Sequence, residues 1–192
     1  MFETENTPNL FIKTLNWVVR KLDVLNISYM ITGGSAVGFW GHARTTMDID
    51  MVIALKASQA DKLFSEFEKE AYVSKDDILS AIFQKKMFNV IFNDTSFKID
   101  FIPLKEDDIY EKESFSRKVE IDFGNLKLSV VSSEDLILSK LKWMKIAGGS
   151  ERQMGDCKSI MLVNKNIDMV YIKKWAQFLN IEEELKRCLA PF

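Results

Sequence analysis

The chain has 192 residues, with 26 Lys plus Arg against 28 Asp plus Glu, a formal net charge of −2, and 47% apolar and 28% charged residues. This mix excludes a disordered or fibrous chain, and its charge balance leaves any nucleic-acid contact to a local patch. No apolar run approaches the roughly 18 residues that span a bilayer. MFETENTPNL at the start is too polar and acidic for a signal peptide. Cys157 and Cys188 are too few for a metal cluster or a disulfide scaffold. The expectation is a reduced, cytoplasmic protein without membrane contact, folded as one domain or one domain with a helical appendage.

The pattern along the chain predicts alternating helices and strands, then helices alone. Phe11, Leu15, Val18, Leu22 and Leu25 form a helical stripe over 10–25. Residues 27–32 (ISYMIT) read as a strand ending at Gly33-Gly34, and 35–40 as a short helix. Over 46–55 the residues alternate: Met47, Ile49, Met51 and Ile53 take one face, and Asp48, Asp50 and Val52 the other. A helix follows, with Ser58 as N-cap, Asp61 three residues on, and a stripe of Ala60, Leu63, Phe64, Phe67 and Ala71. Strands 87–93 and 97–104 flank Asn93-Asp94; a hairpin over 118–131 turns at Gly124-Asn125. Helices are expected at 134–147, 152–163, 168–179 and 181–190. The class is α/β (α+β), with two lobes and a cleft between them.

Two clusters carry chemistry. Gly33-Gly34-Ser35, between a strand and a helix, lets the backbone turn sharply and present helix N-terminal N–H groups and a hydroxyl to an anion; a plain tight turn is the alternative. Asp48 and Asp50 share one strand face. Two like charges about 4 Å apart repel by roughly 4 kcal/mol at an effective dielectric near 20, so a hard cation such as Mg²⁺ or Mn²⁺ is implied. The alternative is a solvated edge strand. Asp100, mid-strand on the face of Lys98 and Ile102, adds a third carboxylate if its strand lies beside 46–55; otherwise it is a surface aspartate whose charge Lys98 offsets.

These residues resemble a known family. Tyr29-Met30-Ile31-Thr32-Gly33-Gly34-Ser35-Ala36-Val37, followed by Gly41-His42-x-Arg44-Thr45-Thr46-x-Asp48-Ile49-Asp50, is similar to the nucleotidyltransferase superfamily of polymerase-β-like fold, and more narrowly to the AbiEii-type toxin nucleotidyltransferases. The resemblance implies a mixed sheet with flanking helices over 1–131, and a helical C-terminal subdomain, 132–192, that completes the cleft. It implies NTP phosphates at Gly33, Gly34 and Ser35, metal on Asp48, Asp50 and Asp100, and an acceptor hydroxyl deprotonated near Asp100. It also places Lys140 and Asp156 in the active site.

Lys140 stands out independently, because it falls within the apolar stripe Leu136, Ile137, Leu141, Trp143, Met144 and Ala147. Such a lysine must snorkel or meet negative charge. Asp156 is also placed to pair with Arg152 one turn earlier. Arg44 contacts a phosphate or anchors its loop, and His42 is a loop residue. Residues 138–158 carry five basic and two acidic side chains, a modest positive surface. The 14 Phe and 4 Trp read as core rather than as a base-stacking platform. The expected activity is Mg²⁺-dependent transfer of a nucleoside monophosphate from an NTP to an RNA, such as a tRNA 3′ end, or to a protein, by the toxin of a toxin–antitoxin pair. The rivals are a transferase acting on a small molecule such as an antibiotic, a non-catalytic nucleotide-binding module, and a phosphohydrolase.

Overall fold

The computed structural model describes residues 10–42, 46 and 48–190. Its order is α1 (Leu10–Val24), β1 (Tyr29–Thr32), α2 (Gly33–Trp40), β2 (Asp48–Ile53), α3 (Ala60–Phe67), β3 (Ala71–Tyr72), α4 (Lys75–Gln84), β4 (Phe88–Phe92), β5 (Lys98–Pro103), α5 (Ile109–Ser116), β6 (Val119–Phe123), β7 (Leu126–Val130), α6 (Ser133–Ile146), α7 (Glu151–Val163), α8 (Met169–Phe178) and α9 (Glu182–Leu189). The strands form one mixed sheet in the order β3-β4-β5-β2-β1-β7-β6. β2 runs antiparallel to β1 and parallel to β5.

Period-2 alternation decides which side is core. Ile49, Met51, Ile53, Ile99 and Phe101 are fully buried, on the face covered by α1 and α3. Trp17 stacks on Phe92 with centroids 4.2 Å apart, and Phe67 meets Phe101 edge-on at 5.8 Å. Each of these rings removes a large apolar area from water. The other face of β2 carries Asp48, Asp50 and Val52, all half-buried. Beyond it stand α6 and α7, both in contact with α2.

The structure departs from the sequence reading in places. Ser58 does not cap α3: it lies inside a single 3₁₀ turn, Ala57–Gln59, and Gln59 Oε1 accepts from the Lys56 N–H at 3.1 Å. Ala71 belongs to the short strand β3 rather than to the helix. α4 and α5 were not expected. Each has a side-chain cap, Ser74 accepting from the Asp77 N–H and Asp108 from the Glu111 N–H, but each buries only two or three residues, too few for a clear stripe. Among the described residues no helix is long and apolar enough to cross a membrane.

Candidate functional site

The turn from β1 into α2 is built around a residue without a side chain. Gly33 has φ +61°, and a Cβ there would lie 2.0 Å from Asp50 Oδ2. That approach lets the Gly34 N–H donate to Asp50 Oδ2 at 3.0 Å. The corner expected to meet an anion thus already holds a carboxylate of the chain itself. The Ser35 hydroxyl is buried and donates to the Thr32 carbonyl at 3.0 Å.

The sheet brings the carboxylates together as the alternation implies. In the β2–β5 ladder Asp50 is opposite Asp100, and Asp48 is opposite Lys98. Asp48 Oδ1 accepts from Thr46 Oγ1 at 2.7 Å. Asp100 is buried; its Oδ2 lies 2.8 Å from Lys98 Nζ, while among the described residues its buried Oδ1 has no hydrogen-bond partner. Burial pushes the Asp50 carboxyl above the ordinary aspartate range, the Gly34 N–H opposes that rise, and the charges of Asp48 and Asp100 add to it. As the side chains stand, no group of three or more His, Cys, Asp or Glu among the described residues is arranged to hold an ion. Asp50 is turned to Gly34 and Asp100 to Lys98, so a cation must compete with those donors.

Lys140 meets negative charge, but from the chain: its Nζ is 2.8 Å from Asp156 Oδ2, with both side chains buried. Asp156 therefore faces α6. Lys140 also lines a cavity of about 620 Å³ that takes in Gly33, Gly34, Asp48 and Asp50, and its charge lowers the Asp50 carboxyl, against the effect of burial. Arg44 lies outside the described residues. His42 is a loop residue whose backbone N–H donates to Ser159 Oγ at 2.7 Å.

Sequence reasoning missed three residues here. Trp143, expected in the core, is 58% exposed and lines the cavity. Ser139, Lys142, Trp143 and Ile146 recur at i, i+3, i+4 and i+7 and give α6 a second, cavity-facing side. Gln153 lines the same cavity, and among the described residues its buried Oε1 lacks a partner. Asp135 is fully buried: its Oδ2 accepts from Ser132 Oγ at 2.7 Å and Arg117 Nε at 3.2 Å, and its Oδ1 from the Tyr171 hydroxyl at 2.8 Å. The Arg117 guanidinium lies 3.8 Å from the Tyr171 ring centroid. This network pins the start of α6 to α8 and to the connection between α5 and β6. The Ser132-x-x-Asp135 spacing was its sequence signal.

The model of the family described as "Nucleotidyltransferase of unknown function (DUF6036)" matches residues 11–188. None of the curated proteins compared matches the chain. Among solved structures, an antigenic nucleotidyltransferase-like protein from Paracoccidioides brasiliensis is similar at TM-score 0.59 and 16% identity, with 95% of this chain and 93% of that one covered. The lincosamide antibiotic adenylyltransferase LnuA, lincomycin-bound, is similar at TM-score 0.54 and 15% identity, covering 79% and 97%. ANT(2")-Ia in complex with adenylyl-2"-tobramycin is similar at TM-score 0.59 and 12% identity, covering 90% and 98%. At these identities the likeness is one of fold, and the fold is the one that the superfamily resemblance implied. The narrower AbiEii likeness stays a resemblance of sequence.

Proposed function

The chain belongs to the nucleotidyltransferase family whose model spans residues 11–188, and from that premise we propose that it moves a nucleoside monophosphate from an NTP to an acceptor hydroxyl, with Mg²⁺ or Mn²⁺ on Asp48, Asp50 and Asp100. The observation that carries this reading is Asp100, buried opposite Asp50 with one oxygen that has no hydrogen-bond partner among the described residues. A donor set of oxygens alone suits a hard divalent ion. When bound, such an ion supplies positive charge to phosphate oxygens.

The chain's own residues account for the rest. Gly33 and Gly34 bring backbone close to the triphosphate and the N-terminus of α2 toward its charge. Lys140, held by Asp156, offsets phosphate charge without having to be ordered at the moment of reaction. Asp100, its carboxylate charge balanced by Lys98 beforehand, takes the proton of the acceptor hydroxyl as its oxygen bonds to the α-phosphorus, the α–β phosphoanhydride bond breaks and pyrophosphate leaves. In this reading 1–131 carries the carboxylates and 132–192 supplies the facing wall. Arg44 completes the phosphate contacts, whereas the Ser35 hydroxyl, buried and donating to the Thr32 carbonyl, holds the corner rather than the phosphate.

The acceptor is an RNA or protein hydroxyl, and the resemblance to toxins adds an antitoxin partner. A small hydroxylated acceptor is the second reading, favoured by a cavity whose volume, about 620 Å³, is of small-molecule size. Incubation with each radiolabelled NTP, Mg²⁺, total RNA, total protein and a panel of small hydroxylated compounds separates these outcomes. Label is expected on one acceptor class and lost with D48N/D50N. Label on none, with no metal-induced rise in melting temperature, refutes the reading. Toxicity on expression, relieved by D48N/D50N, tests the toxin role.

A further inference from the structure

We propose that Trp143 and Gln153 form the subsite for the base of the donor nucleotide and that this subsite selects adenine. The inference rests on the NTP-dependent reading above and adds what binds away from the phosphates.

A large apolar side chain on a helix beside a core is normally turned inward. Trp143 is not: its indole is 58% exposed and lines the cavity that holds Gly33, Gly34 and Asp50. Ile146, one turn on along the same wall, is 66% exposed. On the opposite side the floor is the continuation of the carboxylate face. Val52 follows Asp50 on β2, Ile102 follows Asp100 on β5, and the two are paired in register. The cavity therefore changes from acidic at one end to apolar at the other. A nucleotide matches this gradient, with phosphates and metal at the carboxylates and a flat π-surface against the indole.

Two further observations separate a nucleotide from other flat ligands. Lys140, Lys142 and Arg152 line the same cavity as Asp48, Asp50, Glu111 and Asp135, so it offers cations to a phosphate chain beside carboxylates for a metal, the mixed charge that a metal-bound nucleotide carries. Gln153, on the first turn of α7, lines it too, and among the described residues its buried Oε1 accepts no hydrogen bond. A buried amide oxygen without a donor costs stability unless a ligand supplies one. A glutamine amide pairs in two bonds with the amino group and ring nitrogen of adenine. Guanine offers only acceptors on that edge, so the Gln153 oxygen meets a lone pair.

The test compares Mg·ATP, Mg·GTP and inorganic triphosphate by calorimetry on the full chain. Wild type should bind ATP more tightly than GTP, and triphosphate more weakly than either. W143A should lose about 5- to 150-fold in ATP affinity, the range of one base stacked on an aromatic ring, while triphosphate affinity changes less than about twofold. W143F should retain most of the ATP affinity, so that loss of fold in W143A does not decide the matter. Q153A should leave GTP unchanged and bring ATP down toward it. ATP, but not triphosphate, should quench wild-type tryptophan fluorescence, and W143F should abolish that quenching. If triphosphate binds but neither Trp143 variant affects ATP, the base subsite is wrong and the transferase reading stands. If Q153A leaves the ATP preference intact, the assignment of adenine to Gln153 is overturned. If wild type binds neither ATP nor triphosphate with Mg²⁺, both readings fail.

Discussion

Replacement of Gly33 by alanine tests the close approach of the β1–α2 turn to Asp50. At φ +61° an alanine Cβ would lie 2.0 Å from Asp50 Oδ2, 2.4 Å from its Cγ and 2.7 Å from its Cβ. A non-glycine residue in the left-handed region costs about 1–2 kcal/mol. The clash is relieved only by moving the Asp50 carboxylate, which ends its bond from the Gly34 N–H, a charged hydrogen bond worth about 1.5–3 kcal/mol. Together these give about 2.5–5 kcal/mol, which for a chain of this length is a fall in Tm of about 5–20 °C. A typical stability of about 5–15 kcal/mol leaves the variant folded at room temperature. Gly38, exposed in the same helix, is the control, because a methyl group there would meet nothing within 4 Å: G38A should raise stability by about 0.5–1 kcal/mol. Thermal melts by circular dichroism, with and without Mg·NTP, measure both. If G33A melts within a degree of wild type, or G38A falls as far as G33A, the corner is not the constraint described.

Three other outcomes follow from the same geometry. K98M removes the ammonium that competes with a cation for Asp100, so metal-free Tm should fall while the Mn²⁺-induced rise grows; an unchanged Mn²⁺ response refutes the competition. K140M breaks a buried ion pair and should lower Tm by several degrees more than K142M, on the cavity side of the same helix; equal effects would contradict a structural role for the pair. Burial of Tyr29 raises its phenol from 10 to about 12. A group whose pKa is raised on folding contributes stability below its unfolded pKa and loses it as pH climbs through the folded one. Urea melts should therefore show stability falling between pH 10 and 12, and Y29F should flatten that fall.

How much was legible in the sequence depended on how local the signal was. The alternation of β2 fixed the shared face of Asp48 and Asp50, and the matching alternation of β5 put Asp100 on a face of the same kind. That the two strands are neighbours is a long-range fact, suggested by the chemistry but not contained in either segment. Lys140 was recognisable as a cation on a core-facing stripe. Its pairing with Asp156 crosses the turn between α6 and α7, where Gly148 and Gly149 both have positive φ, and the spacing within α7 offers Arg152 as an equally local partner for Asp156. The hydrophobicity of Trp143 points inward, but its helical angle lies at the margin of the stripe and the side chain lines the cavity. α4 and α5 escaped because hydrophobic periodicity was weighed above capping, yet Ser74-x-x-Asp77 and Asp108-x-x-Glu111 announce both starts.

The parallel pairing of β2 with β5 also governs when the molecule becomes competent during its synthesis. Asp50 leaves the ribosome well before Asp100, with α3, β3, α4 and β4 emerging between them. Lys140 and the wall of α6 come later still. Parallel neighbours must close a long loop, and Lys140 is the last of these residues in the chain, so no fragment that ends before α6 carries the complete set of charges. In the proposed reading, a nascent or truncated chain that ends before α6 lacks part of the site, and the full set of charges comes together only with the helical part of the fold.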